Sequence, residues 1–205
     1  MIITEISAQK RKSRYNLFVD DYFYSGLDAE AIIKNGLKVG LEINETLLNE
    51  IVTESEVRSA FEKLITIISR QMYTKFEIKQ KLIKYGYKEH VVELAIKKAE
   101  EYGYVNDEMF AKMFVDNKKN KSKLEVKSML MKKGVSKQIV DNETLIIDLE
   151  QEKKSVLILA EKYMKNKEVN QKTMSGLYGF LSRKGFSLES VKFALRKYKF
   201  EEFQD

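Results

Sequence analysis

Few residues in this chain have the types and spacing that chemistry needs. His90 is the one histidine and there is no cysteine. No His-Glu-x-x-His helix or thiolate set is available for zinc, and no Ser–His–acid arrangement can be assembled for nucleophilic catalysis. No G-x-x-x-x-G-K-[ST] loop is present, and Gly176-Leu177-Tyr178-Gly179 falls inside a helical pattern rather than in a dinucleotide loop. The carboxylates Asp107-Glu108, Asp116 and Asp148 are spaced as helix caps and helix faces. Asn106-Asp107 stands where a helix starts, and an acidic residue there meets free N–H groups and the positive end of the dipole. His90 is expected on a helix surface. No cofactor or metal is expected.

Positive charge is the clearest functional signal. Between Lys112 and Lys137 nine lysines face only Asp116 and Glu125, an excess larger than the +6 of the whole chain. Lys118, Lys119, Lys121 and Lys123 precede a helix. Lys127, Lys132 and Lys133 follow on or just after it, and a spacing of 3–4 puts some of these lysines on one face, opposite Val126 and Leu130. Such lysines suit backbone phosphates, and binding of that kind is salt-sensitive and indifferent to sequence. Tyr102, Tyr104, Phe110 and Phe114 lie beside them and are expected in the core.

The elements that carry these residues are mostly helical. The chain has 205 residues, no proline, 43% hydrophobic and 33% charged residues, and a sequence pI near 9.1. That describes a folded chain with enough length for a sizeable core, and proline's absence agrees with long helical stretches. No apolar run reaches the roughly 20 residues of a membrane span, and the first residues lack a secretory pattern. Together with the lack of cysteine, this gives the expectation of a cytoplasmic protein.

Residues 1–54 read as a β-rich start. Ile2–Ile6, then Tyr15, Leu17 and Val19 alternating with polar neighbours, then Tyr22–Tyr24 form three short strands, with turns at Gln9–Ser13 and Asp20-Asp21. Asp28–Asn35 reads as a short helix capped by Asp28, with Ile32 and Ile33 inward and Gly36 at its end. A longer helix begins at Asn44 with Leu47, Leu48, Ile51 and Val52 on one face.

From Ser55 onward the chain repeats. Thr74, Ser122 and Thr173 each precede an apolar residue at +4, a leucine at +8, a glycine at +12 and another apolar residue. The hydroxyl reads as a helix cap, completed to a capping box by Glu77 and Glu125 in the first two copies. The glycines Gly86, Gly134 and Gly185 read as left-handed C-terminal caps. Val92, Val140 and Val191 follow six residues later in a further helix, which Ser136 and Ser187 cap in the second and third copies. An amphipathic helix precedes each copy, carrying Val57, Phe61, Leu64, Ile65 and Ile68, then Phe110, Met113 and Phe114, then Val156, Leu159, Ala160 and Tyr163. The expected fold is therefore mostly α, a tandem array of three three-helix units over 55–106, 107–150 and 151–205 behind the β-rich segment. Each buried stripe contributes roughly 1.5–3 kcal/mol per side chain before entropy is subtracted, so no unit should be very stable alone.

Three stretches resemble the RecX family of bacterial RecA regulators. Ser69-Arg70, Thr74, Glu77-Ile78, Lys81-Leu82 and Gly86-Tyr87 are similar to its first unit. Tyr104-Val105-Asn106-Asp107 with Phe110-Ala111 resembles its most characteristic motif. Val126, Leu130, Lys133-Gly134-Val135 resemble its second-unit helix, and the β-rich start is similar to that of low-GC Gram-positive members. Ser122, Met113, Asn117 and Met129 depart from the family's commoner residues. The resemblance implies a non-enzymatic regulator in homologous recombination, DNA repair and the SOS response. It would bind the RecA–DNA filament as a monomer and restrain strand exchange and ATP hydrolysis. Lys118–Lys133 would meet phosphates of single- or double-stranded DNA or an acidic filament surface, and faces near Arg70 and Tyr104 would meet protein. Two other classes stay open: a free-standing helix-turn-helix-like DNA-binding protein, with sequence preference, and a metal-dependent nuclease relying on Asp107.

Overall fold

Three antiparallel strands begin the chain in a computed structural model that describes residues 1–10, 13–118 and 120–198. The strands β1 (Ile3–Ala8), β2 (Arg14–Val19) and β3 (Tyr22–Asp28) pair in sequence order. Asp20 and Asp21 both take positive φ, 48° and 66°, the conformation that closes a two-residue hairpin with the twist strands prefer. β3 runs further than Tyr24, because its ladder with β2 continues through Tyr15–Leu27 to Arg14–Asp28 and buries Leu27 completely. The turn expected at Gln9–Ser13 includes residues 11 and 12, which lie outside the described ones.

The sheet needs a helical partner to bury its apolar face. Ile3, Leu17, Val19 and Leu27 share a core with Leu48, Ile51 and Val52 of α2 (Glu45–Ile68). The short α1 (Ala29–Lys34) is capped by Asp28, whose carboxylate accepts from the Ala31 N–H at 2.7 Å. The same carboxylate accepts from the Ser55 hydroxyl at 3.0 Å and from Arg58 at 3.2 Å, which explains why a serine is fully buried on α2. Two inward expectations fail here. Ile33 is 80% exposed and Leu47 49% exposed, since Ala31 and Leu48 take the buried positions of their helices. α2 runs unbroken through residue 55, so the β-rich segment and the first three-helix unit share one helix.

The repeat appears as three helix–turn–helix pairs, each behind a further helix. They are α3 (Lys75–Lys84) with α4 (Glu89–Glu101), α6 (Lys123–Lys132) with α7 (Lys137–Glu143), and α9 (Gln171–Arg183) with α10 (Leu188–Arg196). The preceding helices are α2, α5 (Asp107–Asp116) and α8 (Leu149–Met164), and a 3₁₀ turn spans Thr144–Ile146. At each turn the residue after the glycine donates its N–H to the carbonyl of the +8 leucine: Tyr87 to Leu82, Val135 to Leu130 and Phe186 to Leu181, at 3.3, 3.2 and 3.4 Å. The repeated leucine, glycine and apolar residue are thus the parts of one helix-ending motif. Val92, Val140 and Val191 are buried as expected, and Ser136 and Ser187 cap their helices.

Two assignments change. α9 starts earlier than Thr173: Asn170 is its cap and accepts from the Thr173 N–H at 2.9 Å, leaving Thr173 inside the helix. The third copy lacks the glutamate of a capping box, and a better cap residue three positions upstream takes over. Met113 is 48% exposed; Ala111 and Val115 join Phe110 in the core of α5 instead.

The chain forms two compact units. One comprises Met1–Tyr73 and Glu77–Val105, the other Thr74–Phe76 and the described residues from Asn106 onward. Within the second, the repeated hydroxyl serves a purpose beyond capping. Ser122 accepts from the Glu125 N–H and donates to the Lys184 carbonyl at 2.7 Å; Thr74 donates to the Lys133 carbonyl at 2.6 Å. Both hydroxyl-bearing residues are fully buried. Each ties the start of one copy's helix to the glycine turn of the next copy.

Candidate nucleic-acid interface

The lysine-rich segment belongs to the second unit. Lys118 follows α5, Lys121 lies in the connection, Lys123, Lys127 and Lys132 are on α6, and Lys133 is its C-terminal cap. Lys119 lies outside the described residues. Helix α6 turns Val126 and Leu130 inward to full burial, so its lysines are left on the outer surface. They are not all alike. Lys121 forms an ion pair with Glu125, and Lys127 with Asp141 at 2.5 Å. That hydrogen bond from Lys127 is the main cause holding the Asp141 carboxyl below the usual carboxylate range. Lys118 and Lys133 place their ammonium groups 5.4 and 5.5 Å from the ring centres of Phe114 and Phe110. Part of the local excess is therefore engaged by the protein's own carboxylates and rings.

Asp107 is only 7% exposed and accepts from the backbone N–H of Lys75, at 2.9 Å. Asn106, not Asp107, caps α5, accepting from the Met109 N–H. The acidic pair thus divides its work: one side chain starts its own helix and the other holds the start of α3. That cross-link had no signal in local spacing, because its partner is 32 residues away. Among the described residues, no group of three or more His, Asp or Glu side chains is placed to hold a metal ion.

In the first unit Tyr104 packs against Phe61 and Tyr102, with ring centres 6.3 and 5.8 Å apart. Tyr102 and Tyr104 are 60% and 55% exposed, contrary to the expectation that they are core. Arg70 lies elsewhere, in a cleft of about 380 Å³ lined also by Lys63, Tyr73, Lys81, Lys84 and Tyr85. The cations of this basic cleft are not adjacent in the sequence. Its signal is helical spacing: Lys63, Thr66, Ile67 and Arg70 recur at i, i+3, i+4 and i+7 along α2 and the turn after it, and Lys81, Lys84 and Tyr85 at i, i+3 and i+4 along α3 and its end.

A helical-repeat protein with lysine-rich surfaces is the class that these features define. Known proteins narrow it. The family model described as the regulatory protein RecX N-terminal domain matches residues 1–44, and that of the RecX first three-helix domain matches residues 60–98. Regulatory protein RecX of Clostridium botulinum (strain Eklund 17B / Type B) is 34% identical over 93% of this chain and 92% of its own. That of Clostridium beijerinckii is 33% identical over 95% and 94%. A solved chain described as the crystal structure of regulatory protein RecX superposes with a TM-score of 0.71 at 24% identity, covering 94% of this chain and 98% of its own. The chain belongs to the RecX family. Among the described residues, no helix is long and apolar enough to cross a membrane.

Proposed function

We propose that this protein is a non-enzymatic regulator that binds the RecA–DNA filament, as a monomer in the cytoplasm, and lowers the recombinase's ATP hydrolysis and strand exchange. The observation that carries this reading is the near full-length relationship to proteins named as RecX regulators, at 34% identity. The β-rich start over 1–54 and the three units over 55–106, 107–150 and 151–205 are its functional parts. Tyr104, with Tyr102, offers an exposed aromatic contact for protein, and aromatic side chains of this kind are enriched at interfaces. The reading is tested on RecA filaments, whose DNA-dependent ATP hydrolysis the protein should lower.

Lys118, Lys123, Lys127, Lys132 and Lys133 supply non-specific attraction to DNA phosphates, with Lys119 and Lys121 in the same run. The ion pairs set how much of that charge is available. Asp141→Asn removes the partner of Lys127, so DNA affinity should rise at low salt. The dependence of log K on log salt should steepen by about 0.7–0.9, one phosphate contact. Fluorescence anisotropy across a KCl series reads this directly, and an unchanged slope removes Lys127 from the surface.

A further inference from the structure

We infer that the cleft between the C-terminal half of α2 and α3 is a binding site for the sugar–phosphate backbone of single-stranded nucleic acid, separate from the Lys118–Lys133 surface. It deepens the nucleic-acid part of the function proposed above by giving the first unit a strand site of its own. Lys63 and Arg70 come from the α2 side, Lys81 and Lys84 from α3, and no carboxylate lines the cleft. None of these four cations takes part in an ion pair among the described residues, whereas Lys79, on another face of α3, is bracketed by Glu89 and Glu93. Four cations without a carboxylate partner around about 380 Å³ favour a multivalent anion over a single carboxylate.

The rings decide which polyanion. Lys63 Nζ stands 3.8 Å from the centre of the Tyr85 ring and Lys81 Nζ 4.6 Å from that of Tyr73. Each lysine therefore covers a ring, and a phosphate that draws the ammonium outward uncovers an aromatic face at the same step. Tyr85 is already 60% exposed. A charged groove edged with stackable rings is the arrangement that holds unpaired bases, whose faces a duplex keeps hidden.

The test is anisotropy of a fluorescein-labelled oligothymidylate with the full chain over a KCl series. Arg70 and Lys84 are exposed, so Arg70→Ala with Lys84→Ala should leave thermal unfolding unchanged. The double variant should weaken binding at least tenfold at low salt and flatten the log–log salt slope by about 1.4, two single-strand phosphate contacts at about 0.7 each. Arg70→Lys with Lys84→Arg should retain the wild-type slope, and Tyr85→Leu should weaken binding with the slope unchanged. The inference is overturned if the double alanine variant keeps wild-type affinity and slope. A parallel Lys123→Ala, Lys132→Ala variant separates the two sites. Loss there with wild-type binding by the cleft variant removes the cleft and leaves the α6 surface standing; loss only in the cleft variant does the reverse. Displacement of the labelled strand by tripolyphosphate at equal phosphate concentration, or by duplex as readily as by unlabelled strand, also overturns the single-strand assignment.

Discussion

Gly134→Ala should destabilise the second compact unit more than any other single-methyl addition at the repeated glycines. Two effects combine at this position. Its φ is 78°, where a side chain is disfavoured, and a Cβ placed there would stand 2.2 Å from Cβ and 2.4 Å from Cγ of Phe76. Those atoms are at the root of the phenylalanine, so they cannot swing aside without moving helix α3's first turn. A left-handed non-glycine residue costs about 1–2 kcal/mol and overpacking about 1–3 kcal/mol, so a loss of about 2–5 kcal/mol is expected. Gly86 provides the control. It has φ 92° but nothing within 4 Å of an added Cβ, so Gly86→Ala should cost only the conformational part, about 1–2 kcal/mol. Urea unfolding of both variants measures the difference. Equal losses would show that the packing of Phe76 on the glycine turn contributes nothing.

Asp107→Ala should lower stability by about 1.5–3 kcal/mol, the range for a hydrogen bond made by a charged group. The loss follows from the part-buried N–H of Lys75, which would lose this 2.9 Å acceptor. Asp107→Asn keeps a carbonyl oxygen in place and should cost less than half as much. The pair of variants also separates structure from catalysis. In a metal-dependent nuclease, Asn and Ala would both abolish Mg²⁺-dependent cleavage, because the charge is lost in each. In a protein where Asp107 holds the start of α3, Asn should behave close to the native residue in unfolding and in RecA assays. Cleavage by the wild-type protein that vanishes in both variants would overturn the structural role.

Much of the fold was legible because the repeat is local. The leucine, glycine and apolar residue of each copy sit within thirteen residues, and helix-ending geometry follows from their order alone. The capping serines Ser122, Ser136 and Ser187 were readable for the same reason. What stayed hidden was every feature that depends on a distant partner. Thr74 and Ser122 read as caps, yet their hydroxyls also reach carbonyls 59 and 62 residues away. Glu152 reads as one more surface acid on an amphipathic helix, but it is 7% exposed and accepts from the hydroxyls of Ser187, at 2.5 Å, and Ser190, at 2.9 Å. A charge run is likewise visible in a sequence while its neutralisation is not. Lys127 stands out in the run, and its pairing with Asp141 appears only once α6 and α7 are folded together. The first-unit cleft shows the converse, with cations spread over 22 positions that two helices gather to one place.

The repeat architecture therefore accounts for most of the residues that resemble the RecX family, including Asp107, Phe110 and Gly134, as parts of the scaffold. The residues left over for function are the free lysines, Arg70 and the exposed tyrosines. Steady-state ATP hydrolysis by RecA on single-stranded DNA, titrated with this protein, tests that account most directly. The rate should fall progressively as the protein approaches RecA in concentration and recover when Tyr104→Ala with Arg70→Ala replaces the native chain. A rate that stays at the level of RecA alone through equimolar protein would contradict it.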